Sequence, residues 1–395
     1  MKVYLDNSAT TRQYDRVTDA MTEAMRADYG NPSSLHAMGV TAEKAVRSSR
    51  KSVAKAIGAG EEEIYFTSCG TESDNMVLMG TAKARRRQGK KIITTAVEHP
   101  AVLEPCKALE DMGFEVEYIG VDSKCKPDME QLKSAINDDT ILISVMTVNN
   151  ENGAIMPIEE IGRLKREYNQ QHGTRILLHT DGVQGLGKIT LSCGQNLSDV
   201  DFASFSAHKI HGPKGIGALW MRKGNNLPAY MMGGGQERHM RSGTENTPGI
   251  IGFGLAAQIS TENFQQRVKQ MQECKDYLQK GICEEIKDII INTPTDEDEN
   301  NAAPSVLNVS FLGTRGEVIL HTLEQEGIYV STGSACSSNK KGMSHVLKAM
   351  GLKDKEIEGA IRFSFSQFNT KEEMDYVLCN LKTAVERFRR LGSFR

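Results

Sequence analysis

KIITTAV (Lys91–Val97), EVEYIGV (Glu115–Val121), TILISVMTV (Thr140–Val148) and RILLHTD (Arg175–Asp181) are four apolar runs, spaced so that a helix fits between each pair. Helices are expected in the intervals from Pro100, near Asp128 and from Pro157. Near-continuous apolar strands alternating with helices read as a mostly parallel α/β sheet covered on both faces. Such sheets bind ligands beyond the carboxyl ends of their strands. The residues after the strand ends are therefore informative: SCGTES (68–73), EHP (98–100), NNENG (149–153) and DGVQ (181–184). Four exits carrying small, charged or amide residues predict one shared pocket.

Toward the N-terminus, YLDNSATT (4–11) precedes an amphipathic helix over 15–28, a break at YGNPSS (29–34) and a long helix over 39–57. A strand over Ile64–Thr67 then enters the turn SCGTES, with a helix beginning near Thr71. Such a junction exposes backbone N–H groups, a ready anion site. The same residues are also compatible with a plain helix cap running from Thr71 to Asp74.

Toward the C-terminus, SFSAHKIHGPKGIG (204–217) sets Lys209 between two histidines. A lysine so placed is a candidate amine nucleophile, the kind that forms a Schiff base with a carbonyl cofactor. By itself such a lysine is far more often a solvated charge. GGGQERHMRSGTEN (233–246) is too long and too basic for a simple turn. One helical stretch is expected from Pro248 to Ile286, then an acidic, apolar-poor loop, NTPTDEDENNAAP (292–304). The short strands and helices beyond it predict a smaller α+β domain, including a helix over 315–326, IRFSFS and a terminal helix from Lys371. The expected division is a large domain over 14–258 and a small one made of 1–13 with 259–395.

The 395 residues, 39% hydrophobic and 25% charged, suit a globular protein of two domains. A net charge of −3 argues against bulk nucleic-acid or anionic-membrane binding. No signal-peptide core precedes the first helix, and no run of about eighteen apolar residues occurs, so a cytoplasmic protein is expected. The eight cysteines are scattered without a CxxC pair and read as free thiols. His208 and His211 lack a nearby carboxylate or cysteine, so no metal site is expected.

Taken together, YLDNSATT, YGNPSSLH, FTSCGTESDN, EHPAVL, VNNENG, HTDGVQ, SAHKIHGPKGIGAL, GGGQERHMRSGTEN, STGSACSS and IRFSFSQF resemble, in order and over nearly the whole chain, the class V, fold-type I pyridoxal phosphate (PLP) enzymes. Within them the likeness is to cysteine desulfurases of the NifS/IscS kind. The resemblance implies that Lys209 carries PLP, that Asp181 pairs with the ring nitrogen, and that Gln184 bonds the ring hydroxyl. It implies that His99 stacks on the ring and serves in acid–base steps, and that Asn150 contacts the cofactor and substrate while Asn149 is structural. Gly70, Thr71, Ser206 and His208 would cradle the phosphate. Thr244 would reach the phosphate of a neighbouring subunit, which implies a homodimer. Cys336, in the small polar run GSACSS, would take sulfur as a persulfide, with Cys125 and Cys69 its only rivals for exposure. Arg362 would bind the substrate carboxylate through its planar fork.

The activity implied is conversion of L-cysteine to L-alanine, the sulfur passing from Cys336 to an acceptor protein such as an iron–sulfur scaffold or a thiolation enzyme. A selenocysteine lyase, or another class V aminotransferase-like reaction, is the alternative. A catalytically quiet sulfur-relay partner is a further one, which the joint presence of Lys209, Asp181, His99, Cys336 and Arg362 opposes. Two features depart from the family pattern. Ser366 and Gln367 replace a glycine and an arginine, and Cys69 replaces a glycine, which would cost about 1 kcal/mol if the backbone there were left-handed.

Overall fold

The computed structural model describes residues 1–295, 301–332 and 343–390. Its strands are β1 (Val3–Tyr4), β2 (Ile64–Thr67), β3 (Lys91–Thr95), β4 (Glu115–Ile119), β5 (Thr140–Ser144), β6 (Leu177–Asp181), β7 (Phe202–Ser206), β8 (Gly217–Met221), β9 (Ile289–Ile291), β10 (Val306–Phe311), β11 (Ile328–Tyr329) and β12 (Ala360–Ser364). Seven of them form the central sheet in the order β2-β8-β7-β6-β5-β3-β4. Strand β8 is antiparallel to both of its neighbours, and the other pairs are parallel. Hence β2, β7, β6, β5, β3 and β4 all end at one edge, as their apolar runs predict.

These runs are apolar because helices cover both faces of the sheet. Every residue of β3, β5, β6 and β7 is buried. Helices Gly70–Arg85, Pro100–Asp111 and Ile158–His172 connect the parallel strands. Helices Asp15–Arg26 and Ala37–Ala56 lie at their expected places. Helix Thr247–Thr261 is buried on nearly all sides, which its Gly- and Ala-rich surface permits.

A second apolar cluster joins Val3 and Leu5 to Leu278 and Ile282, to Val309 and Phe311 of β10, to Phe363 of β12 and to Leu381. There β12, β10 and β9 form an antiparallel sheet, and β1 pairs with β11 in parallel. The first strand of the chain is thus built into its C-terminal third. Conversely Val346, Leu347, Met350 and Ile357 pack into the core under the large sheet.

The helical stretch expected over 248–286 is instead two helices, Thr247–Thr261 and Phe264–Glu285. Asn263 separates them at φ 53°, a left-handed conformation that asparagine tolerates better than most residues. Among the described residues no helix is long and apolar enough to cross a membrane.

Candidate active site

The segment after β1 collects the site. Lys209, in the short turn after β7, directs Nζ to the carbonyl oxygens of Ser8 and Ala9, at 2.5 and 2.8 Å. Gln184, just beyond β6, donates Nε2–H to the same Ser8 oxygen at 2.9 Å. His208 is held through Thr10 and Thr11: Nδ1 lies 3.1 Å from Thr10 Oγ1, and its carbonyl accepts from Thr11 Oγ1 at 2.8 Å. On the other side Asp6 Oδ1 meets the Arg362 guanidinium at 2.8 Å, and Ser8 N–H donates to Ser364 Oγ at 2.9 Å. Residues 6–11 therefore stitch the large sheet to β12.

Asp181 ends β6 and is buried, with Oδ1 accepting the Val183 N–H at 2.9 Å. Burial, reinforced by Asp74, pushes its carboxyl up to about 7, against the opposing pull of the Val183 N–H, His179 and Lys209. A cation placed beside it would return it to the charged form. Beneath it lies a buried polar network that single motifs do not reveal. His179 joins Ser144 Oγ (2.8 Å) to Ser204 Oγ (3.0 Å) and lies 3.5 Å from Asp74. Burial drives Asp74 up to about 7 and the His179 imidazole down to about 4. Asp74 is thus part of this network rather than a helix cap. The helix begins at Gly70, with Cys69 making no side-chain cap and Glu72 accepting the Ser68 N–H at 2.8 Å.

His99 caps helix Pro100–Asp111, its Nδ1 accepting the Ala101 N–H at 3.1 Å. Burial, with the charges of Lys209 and His345, lowers it to about 4. At neutral pH the ring is uncharged, and with Nδ1 accepting, its proton sits on Nε2. Its neighbour Glu98 is fully buried and raised to about 8 by burial, though Thr95 and the Met146 N–H bind its carboxylate.

At the turn after β2, a Cβ on Gly70 would lie 3.8 Å from that of Ser206 and collide with Val183 at 2.6 Å. Ser206 Oγ is buried and has no hydrogen-bond partner among the described residues. An unsatisfied hydroxyl beside the N-terminus of a sixteen-residue helix is a place for an anion's oxygen. Cys69 itself sits at φ −172°, extended backbone that any residue adopts, so the expected left-handed strain is absent.

Arg362 is buried and donates to Asn150 O at 2.9 Å, while its Nε has no partner among the described residues. Asn150 is half-buried, whereas Asn149 is fully buried and binds Val97 O and the N–H groups of Glu151 and Asn152. The site thus gathers Lys209, Gln184, Asp181, His99, Gly70, Ser206, His208, Asn150 and Arg362. Thr71, which follows Gly70 in the same turn, and Thr244 are exposed. Cys336 lies outside the described residues. Of its expected rivals Cys125 is buried; Cys283 and Cys379, on helix surfaces, are the exposed thiols among the described residues. Gln367 donates to Tyr14 Oη at 2.8 Å, and Ser366 closes a turn with Asn369, so both departures have partners.

Sequence reasoning passed over Ser8, Glu98, His179 and Lys188, and read Asp74 only as a cap. Ser8 acts through its backbone oxygen, which leaves no mark in residue type. A strand-internal histidine that follows apolar residues, as in LLHTD, is the one signal that could have exposed the network.

The family model for aminotransferase class V matches residues 3–377. A cysteine desulfurase IscS of Dictyoglomus turgidum is 42% identical over 394 residues, covering 100% of this chain and 97% of that protein. One from Methanosarcina thermophila is 43% identical, covering 99% and 93%. Among solved structures, a NifS-like protein superposes with a TM-score of 0.90 at 41% identity, covering 98% of this chain and all of that one. SspA in complex with cysteine superposes with a TM-score of 0.80 at 32% identity, covering 93% of this chain.

Proposed function

The chain belongs to the class V aminotransferases, among their cysteine desulfurases, and from that premise we propose how its residues divide the work. The enzyme removes sulfur from L-cysteine and leaves L-alanine. The observation that carries this reading is the Lys209 amine, seated on two backbone carbonyls with Gln184 beside it, Asp181 buried nearby, and Arg362 tied to the same segment.

These residues fit PLP. Lys209 is a releasable amine, Asp181 a buried carboxyl that a protonated ring nitrogen would ionise, and Ser206 Oγ an unpartnered hydroxyl beside a helix N-terminus. PLP, when bound, supplies an electron-withdrawing ring that accepts negative charge from the adjoining carbon. Gly70, Thr71, Ser206 and His208 would hold its phosphate, joined by Thr244 of a second copy, so the working form is a homodimer. The neutral His99 would lie against the ring and, through Nε2–H, give and take a proton. Asn150 would meet the cofactor and substrate. The Arg362 guanidinium, with its free Nε, would hold the substrate carboxylate. Lys209 would move the proton at the substrate Cα, and the Cys336 thiolate would take the sulfur and pass it to an acceptor protein, an iron–sulfur scaffold or a thiolation enzyme. We also divide the chain into lobes 14–258 and 1–13 with 259–395. The second apolar cluster supports this, with the segment holding Val346 to Ile357 docked back on the first.

Purified protein given PLP, L-cysteine and a thiol reductant should form alanine and sulfide in equal amounts. Cys336→Ala should abolish both while PLP stays bound, and Lys209→Ala should lose the absorbance of the lysine-linked cofactor. Alanine production by Cys336→Ala at the wild-type rate would rule out the assigned thiol. Absence of alanine from the wild type would sink the reading.

A further inference from the structure

Lys188 is buried, yet no step above uses it. It lies four residues beyond Gln184, and its Nζ donates to Gln184 Oε1. The Gln184 amide is therefore held at both ends. Ser8 O can only accept, so it takes the Nε2 end, and Lys188 Nζ donates to the Oε1 end. A carboxamide pinned at both ends resists turning over. One Nε2–H is spent on Ser8 O and the second is left over. Because Ser8 O is also the acceptor of Lys209 Nζ, that second N–H lies beside whatever group Lys209 carries.

We propose that Lys188 is a positioning residue that locks the Gln184 amide with its donor end toward the cofactor, so that an oxygen next to the Lys209 linkage always meets an N–H. This rests on the PLP reading above. Without Lys188 only Ser8 O holds the amide, and a turn that presents its carbonyl to the same oxygen, exchanging attraction for repulsion, is less strongly opposed. The cost of burying this lysine is consistent with the role: burial, together with the charges of Lys209 and Arg362, lowers its amine to about 7. A purely structural filler at this position would be served better by an apolar side chain.

The test uses the full-length protein and PLP itself, with affinity measured by equilibrium dialysis and the absorbance maximum of the bound cofactor recorded. Lys188→Met and Gln184→Ala should each weaken PLP binding by about tenfold. Both should move the absorbance maximum in the same direction, and the double variant should lose no more than the worse single one. If Lys188→Met does not fold, Lys188→Gln serves instead, because its own amide can face Gln184 either way and cannot lock it. Binding within about twofold of wild type, or losses that add in full, would overturn the inference. So would weaker binding with an unmoved absorbance maximum, the mark of a merely structural role. Wild-type protein that binds no PLP would instead overturn the underlying reading.

Discussion

His211 holds a left-handed backbone at φ 64°, costly for a residue with a Cβ, and is kept there by three contacts. Its N–H donates to Thr11 Oγ1 at 2.8 Å, its ring nitrogen Nδ1 meets Arg12 O at 2.8 Å, and the ring packs 4.8 Å from Tyr14. Burial lowers its imidazole from 6.5 to about 4, so between those values the unfolded chain takes a proton that the folded one refuses. The stability tied to this neutral ring is complete above 6.5 and lost as pH falls. His211→Asn, which keeps the left-handed backbone and cannot titrate, should make unfolding less steeply acid-dependent, by on the order of 1 kcal/mol per pH unit. Urea unfolding of both proteins across that interval decides it, and equal slopes would refute the claim. Gly217 is the other residue with a sharp demand. A Cβ there would meet Phe205 O at 2.6 Å and Cys69 backbone atoms at 2.7 and 2.9 Å. Gly217→Ala should cost about 1–3 kcal/mol in the same measurement.

At the scale of an element, the loop 233–246 contains three successive non-glycine residues in left-handed conformations, Glu237, Arg238 and His239, at φ 46°, 55° and 66°. Partners hold it in place. Arg50 pairs with the Glu237 carboxylate through two bonds of 2.7 and 2.8 Å, and the Phe66 N–H adds a third at 2.9 Å. Arg238 reaches the carbonyls of Glu61 and Glu62. Because Glu237 is buried, Arg50→Ala strands an unpaired carboxylate and should destabilise the protein by about 3–5 kcal/mol. The double change Arg50→Met with Glu237→Gln should recover part of that loss, since the orphaned charge is gone. A thermal melt in which the double variant is worse than Arg50→Ala alone would contradict this account.

For the whole molecule, residues 6–11 act as a seam between two hydrophobic cores, binding Lys209, Gln184 and His208 on one side and Arg362 and Ser364 on the other. The proposed homodimer adds a second seam, because Thr244 is exposed on its own chain. If Thr244 serves the partner's site, a mixed dimer of one Lys209→Ala chain and one Thr244→Ala chain contains one intact site and one doubly damaged site. Mixed dimers isolated with two different affinity tags should show about half the wild-type desulfurase rate, while each parent dimer shows little. Mixed dimers no more active than their parents would refute sharing across the interface.

Much was legible in the residues alone. The apolar runs at 91–97, 140–148 and 175–181 dictated the parallel sheet, because strands covered on both faces need no polar alternation. The ordered motifs named the family, and the strand exits pointed to the pocket. Periodicity did not show the turn at Asn263, since a single left-handed residue leaves the apolar spacing on either side intact. Nor did residue type reveal that Ser8 contributes a backbone oxygen, that Asp74 lies beneath Asp181 rather than capping a helix, or that Lys188 braces Gln184. Each of these depends on segments far apart in the chain meeting at one sheet edge. Local chemistry in this protein determines which elements form and which side chains can react, and tertiary packing decides which groups are desolvated together and which way each one faces.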